Sequence, residues 1–471
     1  MSFFREPPEG LILGSREMGR IHSASLEILR ETGMAFGLPE AVDICRAHGL
    51  ATSGETVFFT DRIVEKTLEM MPNEFTLRAP NPEHDIDFSP NTQALGPGSG
   101  AMFVALASGK SRPARKSDFL QAARLTQVLS AMKFCRHLFV PHDVAPEKMR
   151  AWMMIQQTLT QDKPYCLMTA EDIPIVARVF GQSLEEMRDE AVIGRVSGLS
   201  SISVISPLYM SAENCANLIA FCRAGITFNI SSLPAAGSTA PCSLTAAIVL
   251  QNCENLASMV LAQLVSPGHP VFYGVMGGHS DMRTFSPIYG GPENRLLEMA
   301  GARMARYYGL LSRGTAAATD APSPDFQAGA EAMFEMFAAT VERVNLLPGC
   351  GHLGSYMVGS LEKMVLDAEL HEYLNRLTRP LKFGDDDLAA DIIKSIGPKG
   401  NFLNHPHTFK RFRSEFYQPG VFYRSSYERW RKDGAPGLLE AARTKVKALL
   451  ESYKAPKIDK GLKSDLLKFI A

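Results

Sequence analysis

Between residues 93 and 349 the chain repeats one pattern: a short, apolar, β-rich run, then a longer segment with the period of a helix. The runs are residues 93–98, FCRHLFV from Phe134, YCLMT from Tyr165, ISVIS from Ile202, ITFNIS from Ile226, VFYGVM from Val271, LLSRGT from Leu310 and VNLLPG from Val344. They recur about every 35 residues, the length of one strand–helix unit. After Ser211, a good N-cap, Cys215, Leu218, Ile219 and Cys222 form an apolar stripe at i, i+3, i+4, i+7; Leu297, Ala300, Met304 and Tyr307 form another. Eight such units, with no dinucleotide-type glycine fingerprint opening the series, predict an α/β fold, a (β/α)8 TIM barrel.

The flanks read differently. Residues 1–90 are expected to be an N-terminal helical extension packed on the barrel, with helices after Ser15 and around residues 39–46 and 61–70. Residues 91–384 form the barrel, and 385–471 a polar C-terminal helical extension. With 49 Lys+Arg against 50 Asp+Glu and no dense basic arm, no nucleic-acid partner is expected. The eight cysteines form no Cys-x-x-Cys, and the first residues carry no apolar signal stretch, so a cytoplasmic location is expected. The longest apolar segment, residues 244–265, is interrupted by Gln251, Asn252, Glu254 and Asn255; it reads as an amphipathic helix, not a membrane span. Cys350-x-His352 and His405-x-His407 lack a second matching cluster, so no metal site is expected. Gly96-Pro-Gly-Ser-Gly100 lacks the Lys-Ser/Thr ending of a phosphate loop and reads as an ordinary loop.

In a barrel, reacting groups follow the C-terminal ends of the strands. That rule selects His142 after FCRHLFV, Glu171 after YCLMT, Asp320 and Gln327 after LLSRGT, and His352 after VNLLPG. Each alone could be a helix cap or a hydrogen-bonded structural residue. As a set, polar loops converging on one barrel end favour a binding pocket.

Five stretches carry a family resemblance: IHSASLEILRETG from Ile21, GSTAPCSLTAAIVLQNCENLA from Gly237, LAQLVSPGHPVFYG from Leu261, DAPSPDFQAGAE from Asp320 and NFLNHPHT from Asn401. Together they resemble the trimethylamine methyltransferase family over nearly the whole chain. The resemblance implies a TIM barrel that passes a methyl group from a methylated amine to Co(I) of a cognate corrinoid protein. The cobalamin would be carried by that partner and none bound by this chain, which has no Asp-x-His-x-x-Gly setting. A homo-oligomer is also expected. Archetypal members carry pyrrolysine, whereas every position here is an ordinary amino acid. This points to the glycine betaine-type branch and a small quaternary amine. A quaternary nitrogen is already a competent leaving group, so no catalytic acid is assigned. Aromatic rings can hold its charge, and Phe103, Phe228, Tyr273 and Tyr356 are the candidates. A betaine carboxylate could be taken by Arg313 or by backbone N–H groups near Ser238–Thr239 or Gly351–His352. Two alternatives stay open: another methylated amine or sulfur compound as donor, and a non-catalytic quaternary-amine binding protein.

Overall fold

The computed structural model describes residues 13–106 and 109–470. Six regular strands form the core sheet: β1 (Ala94–Pro97), β2 (Leu199–Val204), β3 (Thr227–Ser232), β4 (Val271–Gly274), β5 (Ser312–Arg313) and β6 (Leu346–Cys350). Their spatial order is β2-β3-β4-β5-β6-β1, all parallel. Two short segments close the ring. Leu95 bridges Met132, the Cys135 N–H donates to the Pro164 carbonyl at 2.9 Å, and Cys166 bridges Leu199. The result is an α/β barrel of eight segments, as the repeat predicts. The runs at Phe134 and Tyr165 differ from expectation: they contribute isolated bridges instead of full strands. Pro164, between them, has no N–H to offer a ladder.

The first ninety residues hold more than helices. Alongside α1 (Ser15–Glu31) and the helices Pro39–Ala47 and Asp61–Met70 lies an antiparallel hairpin, Phe75–Leu77 with Ile86–Phe88. Its apolar side chains cluster with Ala94, Leu199, Leu311 and Leu346 at the N-terminal ends of the barrel segments. Phe75 and Phe88 meet Phe272 of β4 with ring centroids 5.5 and 5.0 Å apart, edge to face. The hairpin therefore plugs the floor of the barrel and leaves the C-terminal end as the accessible one.

Five helices wrap the ring and matter below: α2 (Ala212–Ala224), α3 (Leu244–Val265), α4 (Pro292–Tyr307), α5 (Phe326–Val341) and α6 (Leu361–Thr378). Ser211 caps α2, accepting the Asn214 N–H. Among the described residues α3 is the one helix long and apolar enough to cross a membrane, and 78% of its apolar window is buried inside the protein. It is not amphipathic, as the polar interruptions suggested. Gln251, Asn252, Glu254 and Asn255 are all buried, because each bonds a neighbouring element. Asn255 exchanges two hydrogen bonds with Gly274 of β4, at 2.8 and 3.1 Å. Asn252 donates to Ser25 of α1 at 2.9 Å, and Glu254 accepts from Ser206 and the Leu208 N–H, both at 2.9 Å. These bonds fix the register of α3 against the barrel without exposing a polar face.

Candidate active site

The C-terminal end of the ring encloses a cavity of about 260 Å³. Gly98 and Ser99 follow β1 into its wall; Leu233 follows β3 and Met276 follows β4. Arg313 and Thr315 come from β5 and its loop, and Arg136 from one of the closing segments. His352 and Tyr356, beyond β6, and Tyr289, from the long loop after β4, complete it.

One side of this cavity is cationic. Arg313 is only 6% exposed, yet among the described residues no carboxylate lies within ion-pair distance of it. Its Nε has no hydrogen-bond partner, and Nη1 meets only the Met276 sulfur. Burial, then the charge of Arg136, pulls its pKa down to about 10, so it stays charged at neutral pH. The Nε of Arg136 is likewise buried without a partner. His352 is buried, and neither ring nitrogen meets hydrogen-bond geometry, although the Ser99 backbone approaches the ring. Burial first, then Arg136 and Lys363, pull it down to about 3, which leaves a neutral imidazole. Buried donors normally find partners. Three groups with unspent nitrogens on one wall are suited to an anion.

The adjoining part of the lining is aromatic. The rings of Tyr289 and Tyr356 stand at 88° with centroids 4.8 Å apart, and Tyr356 meets the His352 ring at 4.8 Å. Asp320 holds this corner together. It accepts the N–H groups of Tyr289 and Gly290 at 3.0 and 2.8 Å and the Ser355 hydroxyl at 2.7 Å. Behind the rings, Arg295 of α4 bridges Glu298 (2.9 Å) and Glu335.

The glycines of residues 96–100 serve these rings. A Cβ on Gly98 would lie 2.3 Å from atoms of the His352 imidazole, and one on Gly96 would lie 2.4 Å from the Phe134 ring. The motif makes room for side chains.

Of the ten residues the sequence singled out, Arg313, His352 and Tyr356 line the cavity, and Asp320 stands directly behind it. The other six lie elsewhere. Phe228 packs on Phe221 of α2 and on His269, outside the ring. Tyr273 donates to Asn252 of α3 at 2.8 Å, also outside. Phe103 is half-buried against the exposed His142, with ring centroids 6.2 Å apart, and neither reaches the cavity. Glu171 is exposed and pairs with Arg150 at 2.6 Å; Gln327 is exposed and donates to Glu331 at 2.8 Å. The backbone anion cradles are also occupied. The Ser238 and Thr239 N–H groups donate to the Ala235 carbonyl, and the Gly351 N–H to Asp367 at 2.8 Å. Sequence reasoning missed Arg136, Met276, Tyr289 and Thr315. Arg136 had a signal: a charged residue inside an apolar barrel run. Tyr289 had none, since only the fold of its loop brings it to the mouth.

Among the described residues no cluster of three or more His, Cys, Asp or Glu could hold a metal. The sequence profile described as trimethylamine methyltransferase (MTTB) matches residues 3–471. The chain is 32% identical to a glycine betaine methyltransferase of Desulfitobacterium hafniense (strain Y51), over 98% of this chain and 97% of that one. It is 28% identical to a proline betaine:corrinoid methyltransferase of Eubacterium limosum, over 97% and 96%. Its fold is similar to the crystal structure of the Methanosarcina barkeri monomethylamine methyltransferase MtmB, with a TM-score of 0.54, 10% identity, and 93% and 88% of the two chains covered.

Proposed function

The chain belongs to the trimethylamine methyltransferase family, and we propose that it takes a methyl group from a betaine, a quaternary amine that also carries a carboxylate, for delivery to the cobalt of a corrinoid on a separate protein. It is a methyltransferase, as its family is. The observation that carries the choice of donor is Arg313: a buried guanidinium with no carboxylate of its own. A betaine supplies that carboxylate, with His352 and Arg136 beside it. The trimethylammonium end then faces Tyr289 and Tyr356, whose rings attract a cation by roughly 0.5–2 kcal/mol each.

A cavity of about 260 Å³ takes a small betaine whole and excludes a corrin macrocycle, so the partner must present its cobalt over the mouth. The docked corrinoid supplies the nucleophile. When the C–N bond breaks, its electron pair stays on nitrogen and leaves a neutral tertiary amine, so the barrel needs no acid there. Its residues instead orient the donor and exclude water. The reading includes one barrel over 91–384 flanked by 1–90 and 385–471, and a homo-oligomer, for which α5 exposes an apolar stripe of Phe334, Phe337 and Val341. Eight free cysteines suit the reducing cytoplasm.

The test is a donor panel. The full chain is mixed with a corrinoid protein reduced to Co(I), and loss of the reduced-cobalt absorbance is followed with glycine betaine, proline betaine, carnitine, choline and trimethylamine. Betaines are expected to react. Equal rates with donors lacking a carboxylate, or no reaction with any, would defeat the proposal. A second expectation concerns Gly98. Gly98→Ala should keep the fold, since Gly98 is not among the positive-φ residues. It should displace the His352 ring and lower kcat/KM for the betaine about 10–100-fold. Unchanged kinetics would remove His352 from the donor site.

A further inference from the structure

Behind the aromatic corner, three charged side chains are buried together: Arg295 and Glu298 on α4 and Glu335 on α5, exposed by 4, 2 and 0%. Two carboxylates face one guanidinium. Glu298 accepts from Arg295 at 2.9 Å and from the Thr315 N–H at 2.6 Å. Glu335 pairs with Arg295 and accepts from the Thr315 hydroxyl and the Ala318 N–H. Gly314 permits the approach, since a Cβ there would lie 2.2 Å from the Glu298 Oε1. This group borders the site. Glu298, Arg295 and Asn294 line a small annex that shares Leu233, Met276, Tyr289, Thr315 and Tyr356 with the main cavity.

Two buried carboxylates share one guanidinium in direct contact, a group with one net negative charge; the next cation facing Glu298, Arg313, makes no ion pair with either glutamate. Something must neutralise that charge: a proton in the empty site, or a guest cation in the filled one. We propose that Glu298 and Glu335, bridged by Arg295, select the methyl donor by its charge, exchanging a proton for the quaternary ammonium when it binds. The inference rests on the betaine reading and deepens it. Recognition at this end is electrostatic as well as aromatic. A proton leaves the pair as the ammonium arrives, and one returns when the neutral amine departs. The charged groups facing Glu298 are Arg295 on its own helix, Glu335 from α5, Arg313 from β5 and, beyond Arg295, the Tyr356 phenol. Burial, opposed by Arg295 and reinforced by Glu335, lifts Glu298 to about 7, so the exchange falls near neutral pH.

The probe is 3,3-dimethylbutanoate, which has the shape of glycine betaine with carbon in place of the charged nitrogen. Calorimetric binding of both ligands to the full chain at pH 7, in buffers of different ionisation enthalpy, reads proton release without any mutation. Glycine betaine is expected to release a fraction of a proton and to bind at least about tenfold tighter than the isostere; the isostere should release none. In Glu298→Gln and in Glu335→Gln the release should disappear and the preference fall at least about fivefold, with isostere affinity kept or improved. A merely structural role would weaken both ligands alike. No proton release from the wild-type chain, or Gln variants that keep its preference, overturns the inference. If the chain also transfers methyl groups from betaine, the failure is confined to this inference. If it binds neither ligand, the betaine reading falls and takes the inference with it.

Discussion

Arg313→Met is expected to lower kcat/KM for a betaine donor by about 100–1000-fold while leaving the protein at least as stable. Both halves have the same cause. In the free protein Arg313 is a charge removed from water with no carboxylate in ion-pair contact, held at the end of β5 against Met276 and near Arg136, with Glu298 facing it only at longer range. Burial of that kind costs stability. A methionine of similar length removes the cost, so the thermal midpoint should stay or rise by about 1–2 °C. The betaine carboxylate is the group that rewards the charge, through a desolvated, hydrogen-bonded pair. Its loss should appear mainly as donor affinity, and a donor without a carboxylate, such as choline, should be spared. Methyl-transfer kinetics with the two donors, together with a melting curve, check the prediction. A variant that melts well below the parent, or loses choline and betaine turnover equally, would assign Arg313 to structure.

Arg295→Met is expected to act in the opposite direction, destabilising the fold by about 3–5 kcal/mol near pH 8. Removing the guanidinium leaves Glu298 and Glu335 buried with no cation between them. It also frees the Tyr289 carbonyl, which Arg295 holds at 2.8 Å. The pH dependence has a definite sign. Glu298 already sits above its usual 4.5, at about 7, because burial and Glu335 outweigh Arg295. For a carboxyl raised in the folded state, the contribution to stability is fully present below the unfolded pKa and is lost as pH rises through the folded one. Without Arg295 that upper limit moves higher. The variant should therefore lose least at pH 5 and most at pH 8. Denaturant midpoints of both proteins across that range decide it, and an equal loss at every pH would show that the pair does not titrate.

The eightfold repeat and the helix starts were legible because they rest on local rules. Ser211 caps α2 as its residue type and position suggest, and the apolar stripes at 3.6-residue period are the buried faces, except that Tyr307 at the end of α4 is exposed. The loops that line the cavity mouth were legible too, since strand ends of a barrel converge by topology alone. Glu298 and Glu335, in contrast, sit inside helical patterns where a glutamate usually faces water. Only the packing of α4 and α5 against the β5 loop brings them together behind Tyr356.

Sequence by itself determined that this chain repeats an extended segment and a helix eight times, and that its polar loops gather at one end. It could not decide which face of each strand looks inward. In a parallel barrel both faces are buried, one on the interior and one on the helices, so apolar residues fill both and the two-residue period carries no polarity signal. Phe272 and Tyr273 are neighbours, yet one packs on the floor plug and the other bonds α3. Tertiary structure made that choice, and with it turned Arg313 toward the cavity and Phe228 away.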